Sequence, residues 1–118
     1  MTFPKAKVGL DPGRLRHRVE IQKQRQSRDS EGGVVVAWEK VATVWAGIEP
    51  LSAREKLMAD QVQSELVARI VIRYMDGIDS SMRIKHGSKV YNIAGVIADN
   101  ETMMDWLTLP VSLGPTEG

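Results

Sequence analysis

The sequence contains no cysteine, so disulfide bonds and thiolate metal sites are excluded. It has no apolar run close to the roughly 20 residues that a membrane-spanning helix needs. The first thirteen residues, MTFPKAKVGLDPG, also lack the apolar core of a signal peptide. We therefore expect a protein that is made in the cytoplasm and has no membrane association.

Recognisable catalytic and cofactor-binding patterns are also missing. The sequence has two histidines, His17 and His86, and no serine lies in a G-x-S-x-G or S-x-x-K setting. The diglycine at 32–33 lacks the Lys-Ser/Thr of a phosphate-binding loop, and the D-G-I-D turn at 76–79 lacks the oxygen-ligand alternation of a calcium loop. We expect no catalytic residues, no cofactor and no metal, which leaves binding or structural roles.

Charge is distributed unevenly along the 118 residues, whose formal net charge is +1. Residues 1–28 contain eight Lys or Arg and two acidic residues, a net charge of +6, so residues 29–118 carry +1 − 6 = −5. A basic segment beside an acidic body predicts contact with nucleic acid or with a complementary subunit. A strand whose solvent face is rich in arginine explains the same charges.

One capped helix lies between two strong strands. Ser52 and Glu55 have the S-x-x-E spacing of a capping box, which predicts a helix over about 52–65. From residue 66 to residue 74, apolar and charged positions alternate with the two-residue period of a half-buried strand. Asp76-Gly77 then predicts a turn.

The other segments predict further strands. Alternation over 14–25 predicts a first strand, and the polar segment 26–33 predicts a long loop. A long strand over 34–49 changes its apolar parity near 39–42, which predicts a bulge. The remaining strands are predicted at 82–86, 89–97 and 102–113, and Pro110 places the last at a sheet edge.

These elements predict a single domain over 14–113 with an extended arm at 1–13 and a disordered tail at 114–118. The fold class is mainly β, a small six-stranded antiparallel barrel with one α-helix in the order β-β-α-β-β-β-β. Trp38 and Trp45 are predicted to be core or barrel-end residues. Trp106 is predicted to lie either in an exposed contact patch or in a barrel lid.

Several segments together resemble the head–tail joining proteins of tailed bacteriophages, the head-closure or stopper class. The resemblance covers roughly residues 13–113, and its segments are GRLRHRVEIQ, the D-x-E-G-G loop with the following Trp38, VATVWAGIEPLSAREKLMADQ, VARIVIRYMDGI and MRIKHGSKVYNI. It implies a virion protein of a phage or prophage, made in the bacterial cytoplasm. Such proteins form a ring, typically of twelve copies, below the portal-bound adaptor, and they close the DNA-filled head and receive the tail proteins. DNA contact is then expected only through the channel.

Ring assembly and the uneven charge together predict the contact residues. We expect Arg14, Arg16 and Arg18 to face acidic residues of a neighbouring copy. The acidic candidates are Glu55, Asp60 and Glu65 on the predicted helix. The predicted loop over 26–33 is expected to face the channel or a neighbouring ring and to become ordered only on assembly. The residues expected to make these contacts are Ser27, Arg28, Asp29, Ser30, Glu31, Gly32 and Gly33.

A nucleic-acid-binding barrel of the oligonucleotide-binding type is the alternative function. The basic segment supports it. In the sequence, however, the few aromatic residues are not interleaved with arginine along one strand, as a single-strand-binding sheet requires.

Overall fold

The computed structural model describes residues 15–98 and 105–114, which contain seven strands and one helix. The predicted arm, Arg14 and residues 115–118 of the predicted tail lie outside the described residues. The mainly β fold with one helix is confirmed, but seven strands replace the predicted six. The elements are β1 (His17–Arg28), β2 (Val34–Pro50), α1 (Ala53–Gln61), β3 (Leu66–Arg73), β4 (Arg83–His86), β5 (Lys89–Ile93), β6 (Ile97–Ala98) and β7 (Trp106–Leu113).

The seven strands form one antiparallel sheet whose order is β3-β2-β1-β4-β5-β7-β6. The sheet closes on itself because β3 pairs with β2 along one edge and with β7 along the other. The additional strand, β6, arises because β5 ends at Ile93 and a separate two-residue strand follows it. The predicted strand over 89–97 is therefore two strands.

The core lies inside the closed sheet and is built from alternating residues of its strands. Along β3, Ala68, Ile70 and Ile72 point inward while Arg69 and Arg73 do not. Burying one such aliphatic side chain contributes about 1.5–3 kcal/mol. The largest fully buried side chains are Val19, Ile21, Ile70, Ile72, Ile84, Val90, Leu109 and Val111.

A bulge lies in β2 where the apolar parity changes. Ile21 of β1 pairs with Ala42, but Gln22 pairs with Lys40, so Val41 is the additional residue on β2. The bulge predicted near 39–42 is confirmed. An additional residue in one strand increases bending and twist, which helps the sheet to close.

The helix α1 is defined by its two ends and buries no side chain. Ser52 N–H donates to Glu55 Oε1 at 2.9 Å and Glu55 N–H donates to Ser52 Oγ at 3.2 Å, which confirms the capping box. The predicted end near 65 is wrong, because Gln63 adopts a left-handed φ of 58°. There the N–H groups of Gln63 and Ser64 donate to the carbonyls of Asp60 and Ala59, as in a Schellman motif.

Removing the N-cap is expected to destabilise the protein measurably. Because α1 buries no side chain, its caps supply much of what orders it, so Ser52→Ala should lower the free energy of unfolding by about 0.5–2 kcal/mol. Urea unfolding followed by circular dichroism measures the change. Ser80→Ala, in an exposed turn, is the control. Equal midpoints for the two variants would show that the cap contributes nothing.

Pro110 does not mark a sheet edge, because β7 pairs with β3 on one side and with β5 and β6 on the other. The edge position predicted for it is wrong. The carbonyl of Pro110 accepts a hydrogen bond from Ala94 N–H at 2.8 Å, where β5 has ended and β6 has not begun. The N and the carbonyl of a strand residue face the same neighbour. Pro110 has no backbone N–H to donate, and its nitrogen faces the gap between β5 and β6, where the hydrogen-bond ladder is already interrupted.

Candidate interaction surfaces

The first surface is a ribbon that projects from the closed sheet. We call residues 23–39 the ribbon: the outer halves of β1 and β2 with the turn between them. Residues 23–37 are all exposed. At about 3.3 Å per residue, the ribbon reaches roughly 25 Å beyond the body, and the molecule measures 60 × 32 × 23 Å. An exposed two-stranded ribbon of this length offers contact surface without contributing to the core.

The turn at the ribbon tip is closed by its own hydrogen bonds. Asp29 Oδ1 accepts from the N–H groups of Glu31 at 2.9 Å and Gly33 at 2.7 Å, and Arg28 Nη1 donates to the carbonyl of Gly32 at 2.9 Å. Gly32 has a φ of 85°, which favours glycine. The long loop predicted over 26–33 is therefore wrong at its start, since residues 26–28 continue β1 and the turn spans 29–33.

The two faces of the ribbon differ in chemistry. On one face, Lys23 and Arg25 form ion pairs with Glu39, with N–O distances of 3.6 and 3.1 Å. On the other face, Val34 and Val36 lie in line with Trp38, and the two valines are 60% and 48% exposed. An exposed apolar stripe on a projecting element is typical of a contact surface.

The residues predicted to join neighbouring copies lie in two regions. Arg16 and Arg18 are exposed near the start of β1, and Arg14 lies outside the described residues. On the helix, Asp60 is exposed and pairs with Lys56 at 2.9 Å. Glu65 is exposed just before β3. Contact between the two groups remains a prediction about neighbouring copies.

Glu55 already has partners within the chain. Arg69 Nη1 donates to Glu55 Oε2 at 2.7 Å, and the Ser52 N–H donates to Oε1. The hydrogen bond from Arg69 is the largest cause that lowers the pKa of Glu55 to about 2, followed by the bond from Ser52. Glu55, one of the three predicted acidic contact residues, therefore also connects α1 to β3 within the chain.

The lowered pKa of Glu55 predicts how stability depends on pH. Its folded-state pKa of about 2 lies below its ordinary value of 4.5. The ionised carboxylate therefore stabilises the folded state above pH 4.5, and this stabilisation is lost as the pH falls toward 2. We expect Glu55→Gln to lower the thermal midpoint at neutral pH, and the difference from wild type to shrink across this window. Glu65→Gln, at an exposed position, is the control. A difference that is constant from pH 6 to pH 2 would contradict this role of Glu55.

Another surface crosses four adjacent strands on the outside of the sheet. Arg18 of β1 pairs with Trp45 of β2, and Arg73 of β3 pairs with Trp106 of β7. The Ala46–Ile72 pair places Trp45 beside Arg73, so the four side chains form one row. We call Arg18, Trp45, Arg73 and Trp106 the Arg–Trp row. Its members come from four separate parts of the sequence, and the strand register brings them together.

Each tryptophan of the row has an arginine over its ring. The Cζ atoms of Arg18 and Arg73 lie 5.0 Å from the ring centroids of Trp45 and Trp106, which is cation–π geometry. Trp45 is 53% exposed, so of the two positions predicted for it, core or barrel end, the core position is wrong. Beside it opens a cleft of about 290 Å³, lined by Leu15, Arg18, Thr43, Val44, Trp45, Arg73, Tyr74 and Met75.

The described residues contain no cluster of three or more metal-ligating side chains. The rings of His17 and His86, 69 residues apart in sequence, meet edge to face with their centroids 5.0 Å apart. Within the same described ranges, no helix is long and apolar enough to cross a membrane.

Comparison with known proteins gives consistent matches along almost the whole chain. A family model described as phage head completion protein matches residues 10–114. Head completion protein gp7 of Enterobacteria phage HK97 is 30% identical over 98 residues, covering 79% of this chain and 88% of the relative. Head completion protein gp16 of Bacillus phage SPP1 is 29% identical over 77 residues, covering 65% and 71%.

Solved structures resemble the fold as well. The solution structure of a protein from Shigella flexneri 2a is 30% identical, with a TM-score of 0.69, and the match covers 91% of this chain and 99% of the other. A chain in the virion of a native gene transfer agent particle is 18% identical, with a TM-score of 0.56 and coverage of 82% and 93%. The second match concerns the fold alone.

Proposed function

The chain belongs to the phage head completion protein family, and from that membership we propose that copies of it form a ring that closes the DNA-filled head. The protein is a structural component of the virion at the head–tail junction. The observation that carries the proposal is the family match over residues 10–114, which includes the ribbon and the closed sheet. The source is then a tailed phage or a prophage, and the protein is made in the bacterial cytoplasm before assembly.

Ring closure needs two different, complementary surfaces on each copy, because a closed ring is built from head-to-tail contacts. The closed sheet, which we propose to be a true barrel, is a rigid body that holds such surfaces at fixed positions. Arg16 and Arg18, with Arg14 preceding them in the sequence, and the acidic residues Asp60 and Glu65 supply opposite charges. Glu55 is the weakest of the acidic candidates because Arg69 and Ser52 already bind its carboxylate.

The proposed contacts are individually weak. An exposed ion pair contributes about 0–1 kcal/mol, so a few of them do not hold a ring together in dilute solution. We propose that the isolated protein is a monomer and that the adaptor bound to the portal acts as the template for the ring. Twelve copies is the number that the family resemblance implies.

The ribbon is proposed to make the contacts that extend beyond the ring of bodies. Its reach of roughly 25 Å, its exposed valine stripe and its compact tip support a position facing the channel or a neighbouring ring. Tail proteins then dock on the completed ring, and DNA contact takes place through the channel. We further propose that the protein has no enzymatic turnover.

Loss of the protein tests this function directly. In a phage that lacks the gene, we expect electron micrographs of lysates to show DNA-filled or DNA-leaking heads and separate tails, and complementation with the wild-type gene to restore tailed particles. Heads without tails are expected because the proposed ring joins the two. Normal tailed particles in the uncomplemented lysate would contradict the proposal.

A further inference from the structure

We propose that the ribbons of neighbouring copies pair edge to edge, so that β2 of one ribbon and β1 of the next form antiparallel backbone hydrogen bonds. The partner of the ribbon is then a second copy of this chain. This inference rests on the proposed ring and deepens it, because it names the atoms through which neighbouring copies meet. Ribbons joined in this way form one continuous sheet around the ring.

The ribbon has two open edges, which the closed body does not have. On β1, pairing with β4 ends at Gln22, and on β2, pairing with β3 begins only at Ala46. Within residues 15–98 and 105–114, residues 23–28 of β1 and 34–39 of β2 pair with each other and with no further strand. Each open edge presents a row of backbone N–H and C=O groups to solvent, and such a row is a template for another strand.

The hydrogen bonds of the turn indicate which backbone groups face outward. Asp29 N–H donates to the carbonyl of Gly33 at 2.9 Å, so these two residues form a hydrogen-bonded pair. Hydrogen-bonded and non-hydrogen-bonded pairs alternate along an antiparallel ladder, and the register is unbroken over the ribbon. Every second pair therefore turns its N–H and C=O groups away from the ribbon. The outward residues are Gln24, Gln26 and Arg28 on β1 and Val34, Val36 and Trp38 on β2.

The β2 edge lacks the protection that sheet edges ordinarily carry. Residues 34–38 read VVVAW, with no charge and no proline, and Val34 and Val36 are 60% and 48% exposed. Natural edge strands are shielded by lysine, by proline or by a covering element. A short, uncharged segment with high β-propensity at an open edge is an aggregation hazard, so we expect another strand to cover it in the assembled state.

The charges of the two edges are complementary. Residues 23–28 contain three basic and no acidic residues, whereas residues 34–39 contain Glu39 and no basic residue. Glu39 pairs with Lys23 and Arg25 of its own copy, and its side chain is still 39% exposed. If the contact between copies repeats the register of the ribbon, Glu39 also lies beside Lys23 of the next copy. Two β1 edges placed together would instead bring basic residues against basic residues.

Rotational symmetry favours the same pairing. When the ribbons of a ring lie side by side, the β2 edge of one copy meets the β1 edge of the next, because the contact is head-to-tail. The two strands run antiparallel within each ribbon, so they also run antiparallel across this contact. Each copy then covers both of its edges, one with each neighbour. A strand from an unrelated protein is the competing occupant, and it would cover only one edge of each ribbon.

Disulfide trapping in the isolated protein tests the pairing. The chain has no cysteine, so a protein with one introduced cysteine forms a protein–protein disulfide only with another copy. Val36→Cys is mixed at high concentration, in a glutathione exchange buffer, with one of three β1-edge variants: Gln24→Cys, Gln26→Cys or Arg28→Cys. Random pairing gives as much mixed dimer as the two homodimers together. We expect a several-fold excess of the mixed dimer in the mixture that matches the register.

Proline at the β2 edge tests the backbone hydrogen bonds. Val36→Pro removes an outward N–H that the ladder of the ribbon does not use, so the isolated protein should keep its fold. Val36→Thr is the matched control, because it keeps the N–H and the β-branched shape while it removes apolar surface. In a complementation assay, we expect Val36→Pro to reduce plaque yield by several orders of magnitude and Val36→Thr to retain most of it.

The proposal is overturned if no mixture exceeds random pairing, or if Arg25→Cys, whose side chain lies on the other face, gives the same excess with Val36→Cys. An excess of the Val36→Cys homodimer would indicate pairing of two β2 edges and would also overturn it. The same holds for full yield from Val36→Pro, or for equal loss with proline and threonine, which would assign the contact to side chains. Trapping requires no particle, so its failure is distinct from a failure of the proposed ring, which the loss of the gene tests.

Discussion

Removal of the ribbon is expected to abolish the production of infectious particles while the body of the protein still folds. Residues 25–37 are exposed and contribute nothing to the core, so their loss leaves the closed sheet intact. Gln24 pairs with Trp38 across the ribbon, and an Asn-Gly pair between them restores a two-residue hairpin turn. We expect a thermal midpoint within a few degrees of wild type and a plaque yield reduced by several orders of magnitude in a complementation assay.

A matched variant separates the ribbon from its tip. Replacing residues 29–33 by Asn-Gly keeps the paired strands, because Arg28 pairs with Val34. If the valine stripe makes the contact, this shorter tip should retain substantial yield, and if the tip makes it, both variants should fail. Full yield from the variant without the ribbon would show that the ribbon is not a contact surface.

Charge reversal at the start of β1 is expected to have a comparable effect. Arg16→Glu with Arg18→Glu changes the local charge by four units and turns the proposed attraction to Asp60 and Glu65 into repulsion. Because both side chains are exposed, the monomer should keep its fold, as circular dichroism and thermal melting would show. Infectious particles should be lost, and purified heads should lack the protein.

A second double variant controls for net charge. Arg54→Glu with Lys89→Glu makes the same change at exposed positions of α1 and β5. Arg54→Glu makes α1 more acidic, so the proposed attraction between α1 and the β1 arginines of a neighbouring copy is kept. We therefore expect this double variant to leave particle yield unchanged. Equal loss in both double variants would indicate a general charge effect, and full yield from the β1 variant would leave Arg16 and Arg18 as solvated surface residues.

Local signals in the sequence predicted those parts of the fold that depend on neighbouring residues. The capping box at Ser52 and Glu55 and the bulge at Val41 follow from spacing and from a change of parity, and both are confirmed. The end of α1 was missed because the left-handed position holds Gln63 rather than glycine. Sequence patterns detect the residue type that such a position prefers, so a glutamine there gives no signal.

The last three residues of β1, 26–28, were missed for a different physical reason. Both faces of the ribbon are exposed, so residues 23–28 are polar throughout and lack the alternation that marks a half-buried strand. The periodicity ends where the core ends, which made the polar half of β1 resemble a loop. The run of valines from Val34 to Val36 was the available signal, since an apolar run opposite a polar segment indicates pairing outside the core.

The Arg–Trp row could not be read along the chain. Its four residues lie on four strands, and they align because the bulge at Val41 and the pairings of β3 set the register between those strands. A shift of one residue in any pairing would move Trp45 or Arg73 to the other face of the sheet. Residues that come together only through long-range strand pairing can be identified only from the structure.

A cryo-electron microscopy reconstruction of the head–tail junction, made from the particle that carries this protein, tests the proposed ring. We expect a ring of closed-sheet bodies between the portal-bound adaptor and the tail, with ribbons extending from it and the β1 arginines near α1 of the next copy. A junction without density for this fold, or the protein found elsewhere in the particle, would contradict it.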